Sequence, residues 1–367
     1  MKYFLALGLG FAAAHPVAAR QDAAPSSTSA EPASQPRVSV FADGVTIDWR
    51  FPLVELEARV VLRAGPLELL ACSPRTREHE SILQIPARPL HIFQACGLIG
   101  LQPGAPVHYD AANDRWIAPT GQPLTLRVLG SFEFGDVTLP VEAWMTSLKE
   151  PGRETRTIPW VFAGSRVVEG GAFGADEDGT IVCVVDFSTA LITIGEVHSA
   201  DDELLWLGAD PRYVPKEGTR CRLLVSARID DPLLLHVLPD GGLRIADKGV
   251  TAQDAAARWR RTSESAPTGR SDPPAKPALT PEVSNPATPA GASPQRDRNT
   301  PPPGNKTESN WRVIELRPEG QVASAVMRRV STALAAEGVP PAAMLVDPRS
   351  LSDARQSPPG GSPIKPG

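Results

Sequence analysis

Residues 66 to 104 read PLELLACSPRTREHESILQIPARPLHIFQACGLIGLQPG. The run opens as a strand (PLELLAC), crosses a polar turn, returns as a second apolar run (SILQI) and then, after Pro89, carries Leu90, Ile92, Phe93, Cys96, Leu98 and Ile99. A segment apolar on most sides predicts a buried helix. Gly100, Pro103 and Gly104 end it. One buried helix beside strands predicts an α+β fold. The same stretch holds a dense group of reactive side chains: Cys72, Glu78, His79, Glu80, Ser81 and His91. An acid, an imidazole and a hydroxyl on a turn between rigid elements are one way to build a site. They are also one way to cap a structural turn.

Outward from this stretch, period-two alternation marks RVSVF, VTIDW, ARVVLR, LTLRVLG, WVFAG, IVCVVDF and RCRLLVS as further strands. Residues 37–228 therefore predict a mainly antiparallel sheet domain large enough for a substantial core. In IVCVVDF, Ile181, Cys183, Val185 and Phe187 are expected to share one strand face.

Residues 1–19 combine Lys2, an apolar run from Phe4 to Ala14 and small residues before Arg20. That pattern is a secretory signal peptide, which directs the chain to the periplasm or out of the cell. Its apolar run is shorter than the roughly 20 residues of a spanning helix, so the mature chain is expected to have no membrane span. Residues 20–36, 263–309 and 348–367 are rich in Pro, Ser and Ala and poor in large apolar side chains. They predict a disordered linker, a Pro-rich linker and a tail. A formal charge of −5 without a Lys/Arg cluster argues against a nucleic-acid partner.

The four cysteines, Cys72, Cys96, Cys183 and Cys221, allow two disulfides in an exported chain. Buried free thiols are the alternative. Spacing does not choose between them. The long intervals predict no iron–sulfur cluster.

Two readings of the reactive cluster are open. In the first, His79 is a general base or a ligand of a divalent metal, oriented by Glu78 or Glu80, with Cys72 and His91 as further ligands. HESIL is not an HExxH motif, because Leu83 stands where the second histidine would be. Ser81 lacks the G-x-S-x-G surroundings of an activated nucleophile. In the second reading, Glu78 and Glu80 bind Arg75, Arg77 or Arg88 while His79 caps a tight turn. Asp176, Glu177, Asp178 and Gly179 lack the spacing of a calcium loop and predict a solvated hairpin turn.

Beyond residue 228 the pattern changes. LLLHVL, PDGG and LRIA predict a hairpin, and Thr251 with Asp254 predicts a capping box opening AQDAAARWRR. After the Pro-rich linker, WRVIEL reads as a strand. Val322, Val326, Val330 and Leu334 mark a helix that Gly338 and Pro340 end, and AAMLV closes the unit. Residues 229–262 and 310–347 thus predict a small split ββα/βαβ domain, whose first half needs the second for stability.

The run ELLACSPRTREHESIL, the exit GLIGLQPGAPV, IPWVFAGSRV at 158–167 and GTIVCVVDFSTALI at 179–192 occur in the order seen in YdjY-like domains of bacterial exported proteins. Residues 55–228 resemble that family. The resemblance places Cys72, Glu78, His79, Glu80, Ser81 and Cys183 on positions of the family pattern, which makes Cys72 and Cys183 the candidates for disulfide chemistry. It implies no established activity. The PDGG hairpin and the AEGV helix end are similar to the periplasmic domain of ExbD/TolR-type biopolymer-transport proteins. The long Pro-rich insertion and the lack of that family's proton-coupling membrane helix are departures. They imply a docking fold, or one that forms a homodimer. The expectation is an exported, non-catalytic envelope protein that binds a protein or cell-envelope component. The alternative is a metal-dependent hydrolase or redox protein using Glu78, His79 and Glu80.

Overall fold

The computed structural model describes residues 38–150, 157–199, 201, 204–264 and 313–353. The expected signal peptide, the linker at 20–36, nearly all of the linker at 263–309 and the tail from 354 onward lie outside the described residues.

Strands β1 (Val38–Ala42), β2 (Val45–Asp48) and β3 (Leu53–Val60) form an antiparallel meander. Short strand β4 (Gly65–Pro66), then β5 (Leu69–Cys72) and β6 (Ser81–Gln84), lead into α1 (Pro89–Leu98). Strands β7 (Pro103–Ala105), β8 (His108–Asp110) and β9 (Arg115–Ile117) precede the long β10 (Thr120–Phe132) and its hairpin partner β11 (Gly135–Pro140). Next come β12 (Met145–Ser147), β13 (Trp160–Phe162), α2 (Gly174–Asp178), β14 (Thr180–Cys183), β15 (Thr193–Ile194), β16 (Leu207–Ala209) and β17 (Arg220–Ala227). The antiparallel order β1–β2–β3–β17–β10–β11 forms the centre, and β6, β5 and β14 branch from β3. The mainly antiparallel α+β architecture is as expected.

Alternation explains β3: Val54, Leu56, Ala58 and Val60 are buried, while Glu57 and Arg59 on the other face are exposed. Helix α1 packs on β2 and β3 through Ile92, Ala95 and Cys96. It is buried along one side only, since Leu98 remains 48% exposed. Its amino end is capped from elsewhere in the chain. The Asp176 carboxylate accepts from Leu90 N–H at 2.9 Å and from Arg88 Nε at 2.6 Å. The acidic run at 176–178 is therefore a one-turn helix closed by Gly179 at φ 72°, instead of the expected hairpin turn. IVCVVDF also departs from expectation. Register shifts in the β14–β5 pairing break the alternation, so Ile181 and Val185 join the main core while Cys183 and Phe187 pack in a smaller cluster with Leu69, Cys72 and Ala190.

The last third comprises β18 (Leu233–Val237), β19 (Leu243–Ile245), β20 (Lys248–Val250), α3 (Ala252–Glu264), β21 (Ile314–Pro318), α4 (Ser324–Ala336) and β22 (Met344–Leu345). The two halves on either side of the Pro-rich segment join through five parallel residue pairs, Leu233↔Ile314 to Val237↔Pro318. Thr251 and Asp254 cap α3 reciprocally, as read from the sequence. Strand β22 pairs with β11 at Thr138↔Leu345, so this third shares a sheet with the first two. Buried Arg127 donates to the Ala342 carbonyl at 2.6 Å, and Thr138 Oγ1 donates to the Met344 carbonyl at 2.8 Å. Residues 348–353, grouped with the tail by composition, are ordered: Leu351 is buried and Asp353 accepts from Ser324 N–H at the start of α4.

Candidate functional site

Residues 73–80 connect β5 to β6, which run parallel in the register Leu69↔Ser81 and Ala71↔Leu83. Parallel neighbours usually need a crossover of about a dozen residues or more. This crossover is shorter, and its polar side chains hold the tight path. Arg75 adopts φ 64°, and Glu78–Glu80 form a single 3-10 turn. The Glu78 carboxylate accepts from Arg75 N–H and from Gln84 Nε2, the latter at 3.0 Å. Burial alone would push its carboxyl pKa up, but these bonds hold it below the usual value. Thr76 Oγ1 donates to the Ser73 carbonyl, and Ser81 Oγ donates to the Arg77 carbonyl, both at 2.7 Å.

Beneath the turn lies a carboxyl pair. Arg77 Nη1 stands 2.8 Å from Glu68 Oε2 and 3.7 Å from Glu80 Oε2, and its guanidinium lies 4.7 Å from the centre of the Phe187 ring. Glu68 is 8% exposed. Burial and its hydrogen bond to Glu80 raise its pKa to about 7, against the pull of Arg77. Glu68 therefore takes up and releases its proton near neutral pH. The expectation that Glu80 binds an arginine holds for Arg77. Arg88 pairs with Asp176 instead. Glu68 was not singled out from the sequence. Its signal was an acid inside the otherwise apolar PLELLAC, but its partner is set by the β5–β6 register.

The remaining candidates are separated by their surroundings. The His79 side chain is 73% exposed, with Nε2 3.5 Å from Glu80 Oε1, while Cys72 is fully buried and His91 is half-buried on α1. Among the described residues, no three His, Cys, Asp or Glu side chains gather as a metal-holding group. Cys72 and Cys183 share the small apolar cluster, and all four cysteines are free thiols. Burial raises the thiol pKa of Cys72, sends that of Cys183 well above its usual value, and takes Cys96 and Cys221 to about 12. None is a ready thiolate at neutral pH.

Ser81 spends its hydroxyl on the turn, and no histidine is hydrogen-bonded to it. The arrangement can take up and release a proton at Glu68. It does not align a nucleophile with a base.

No curated protein and no solved structure matches this chain. One family model does, and its span takes in the β5–β6 crossover, the carboxyl pair and the central sheet: residues 45–226 match the model of the YdjY domain.

Proposed function

We propose that the protein is an exported, non-catalytic binding module of the cell envelope, engaging a protein or cell-wall component. The observation that carries this reading is how the reactive cluster is used: Glu78, Thr76 and Ser81 are bonded to the backbone or side chains of their own crossover. The signal-peptide pattern at residues 1–19 supports export.

For partner contact we assign the β8–β9 ribbon, where Tyr109 and Trp116 face each other across the strands with ring centres 5.4 Å apart. They are 48% and 60% exposed, so two large aromatic rings are left outside the core. Such rings are common anchors of binding surfaces. Residues 229–262 and 310–347, with the ExbD/TolR-like order of elements, supply a second docking or dimerising surface in this reading.

The test is photocrosslinking from position 116 of the full chain in intact cells, together with metal analysis of the purified exported protein. Defined adducts from position 116, lost when Tyr109 is also replaced by Ala, are expected. No adduct, together with one stoichiometric metal that disappears in His79→Ala, would replace this reading with the metal-site alternative.

A further inference from the structure

A second concentration of charge lies on the central sheet and meets the crossover at Gln84, whose amide donates to Glu78 and accepts from Arg59. By alternation Glu55, Glu57 and Arg59 share one face of β3. Across the register, Arg59 stands opposite both Gln84 of β6 and Arg220 of β17, while Glu57 stands opposite Arg222. On the other side of β17, Leu129 of β10 faces Arg222, and Ser131 pairs with Asp136 of β11. Gln84, Arg59 and Arg220 are thus in register, and extending the Leu129↔Arg222 alignment by two residues brings Ser131, with Asp136 beside it, to the end of the same row. These residues line an open cleft of about 820 Å3, with Pro341 at its margin.

Further inward Arg222 is already paired, with its Nη1 2.6 Å from Glu55 Oε2. The outer row is different. Arg59 Nη2 donates to the neutral Gln84 Oε1 at 2.7 Å, and no ion pair joins Arg59, Arg220, Glu57 or Asp136 to another described side chain. Like charges directly opposite on a sheet cost stability unless something offsets them. Arg59 gives one N–H to Gln84 and keeps others free of an ion pair, and a guanidinium fork fits an oxyanion. Glu57 and Asp136 line the same cleft and would oppose a lone dianion such as phosphate. They suit a ligand that brings a positive charge with its negative one.

We propose that this cleft binds a short zwitterionic peptide, with its carboxylate between Arg59 and Arg220 and its ammonium directed to Asp136. Asp136 lies two strands beyond Arg220, about 10 Å at the usual strand spacing. That is the reach of about three extended residues. The cleft and the aromatic ribbon are separate, so this proposal stands without the partner reading above.

Calorimetric titration of the full chain with triglycine at low ionic strength tests it. Saturable binding is expected, weakened at least about fivefold by N-acetylation or amidation of the peptide, each of which removes one charge-assisted contact. The exposed substitutions Arg220→Gln and Asp136→Asn should weaken it comparably. Lys248→Gln, on β20, should bind as wild type and control for general charge. The proposal is overturned by no saturable binding, by unchanged affinity in Arg220→Gln, or by tighter binding of inorganic phosphate than of triglycine.

Discussion

The β5–β6 crossover and the outer row of the central sheet are both dense in charge, and they use it in opposite ways. In the crossover, Glu78, Thr76, Arg77 and Ser81 are bonded inward, to the turn and to Glu68. In the sheet row, Arg59 and Arg220 stand opposite in register, Arg59 donates to the neutral Gln84, and neither forms an ion pair with a described carboxylate. The first arrangement lowers the energy of a difficult connection. The second leaves an electrostatic cost standing, which a ligand can remove. Density of reactive residues in sequence therefore identifies the stressed connection, and unspent charge in space identifies the surface with something left to bind.

The largest effect that separates the two regions is expected at Gly179. It sits at φ 72°, and a Cβ there would lie 2.5 Å from Thr76 Oγ1 and 2.6 Å from Thr76 Cγ2. Gly179→Ala adds backbone strain to a clash with the crossover, so a loss of roughly 3 kcal/mol is expected in urea unfolding. Triglycine affinity of the folded variant should be unchanged. A variant of normal stability with weakened peptide binding would break the division between the regions.

A smaller change is expected from the carboxyl pair. The folded-state pKa of Glu68 is raised from 4.5 to about 7 because the residue is buried and bonded to Glu80. The folded chain then holds this proton more tightly than the unfolded chain. Its contribution to stability is full below pH 4.5 and is lost as pH rises through 7. Glu68→Gln, which stays neutral, should abolish that fall, a change on the order of 2 kcal/mol between the two ends of the window. Unfolding midpoints at pH 4.5 and pH 8 measure it. An equal slope in the variant would mean that Glu68 is not the group that titrates in this window.

Glu78→Ala should cost less, about 1 kcal/mol, since its bonds to Arg75 N–H and Gln84 are near the surface. Hydrogen exchange at Arg75 N–H would rise in that variant. Unchanged exchange would show that the turn holds its path without the carboxylate.

Much of the scaffold was legible because its signals are local. Alternation located the principal strands of the sheet, and the Thr251/Asp254 pair announced the start of α3. The reactive cluster was legible as residues but not as roles, because the role of Glu78 depends on a parallel return that no local pattern encodes. The break in IVCVVDF was hidden for a related reason: register shifts against β5 move Cys183 away from Ile181, although the sequence alternates without interruption. The row from Gln84 to Asp136 draws on strands far apart in the chain, so it exists only once register is known. Glu68 falls between these cases, visible as an acid in an apolar strand but silent about its partner.

The smallest expected effect bears most directly on the contrast. If the Arg59–Arg220 opposition is an unspent cost, Arg220→Gln should stabilise the peptide-free protein at low salt by about 0.5 kcal/mol, a rise of roughly 1–2 °C in melting temperature. The gain should shrink at high salt as the repulsion is screened. Arg222→Gln, two residues along the same strand, should move the other way, because Arg222 is already paired with Glu55 at 2.6 Å. Opposite signs at neighbouring arginines of one strand would locate the cost in the outer row. If both substitutions lower the melting temperature, the outer row is internally satisfied in solution, and the sheet face resembles the crossover after all.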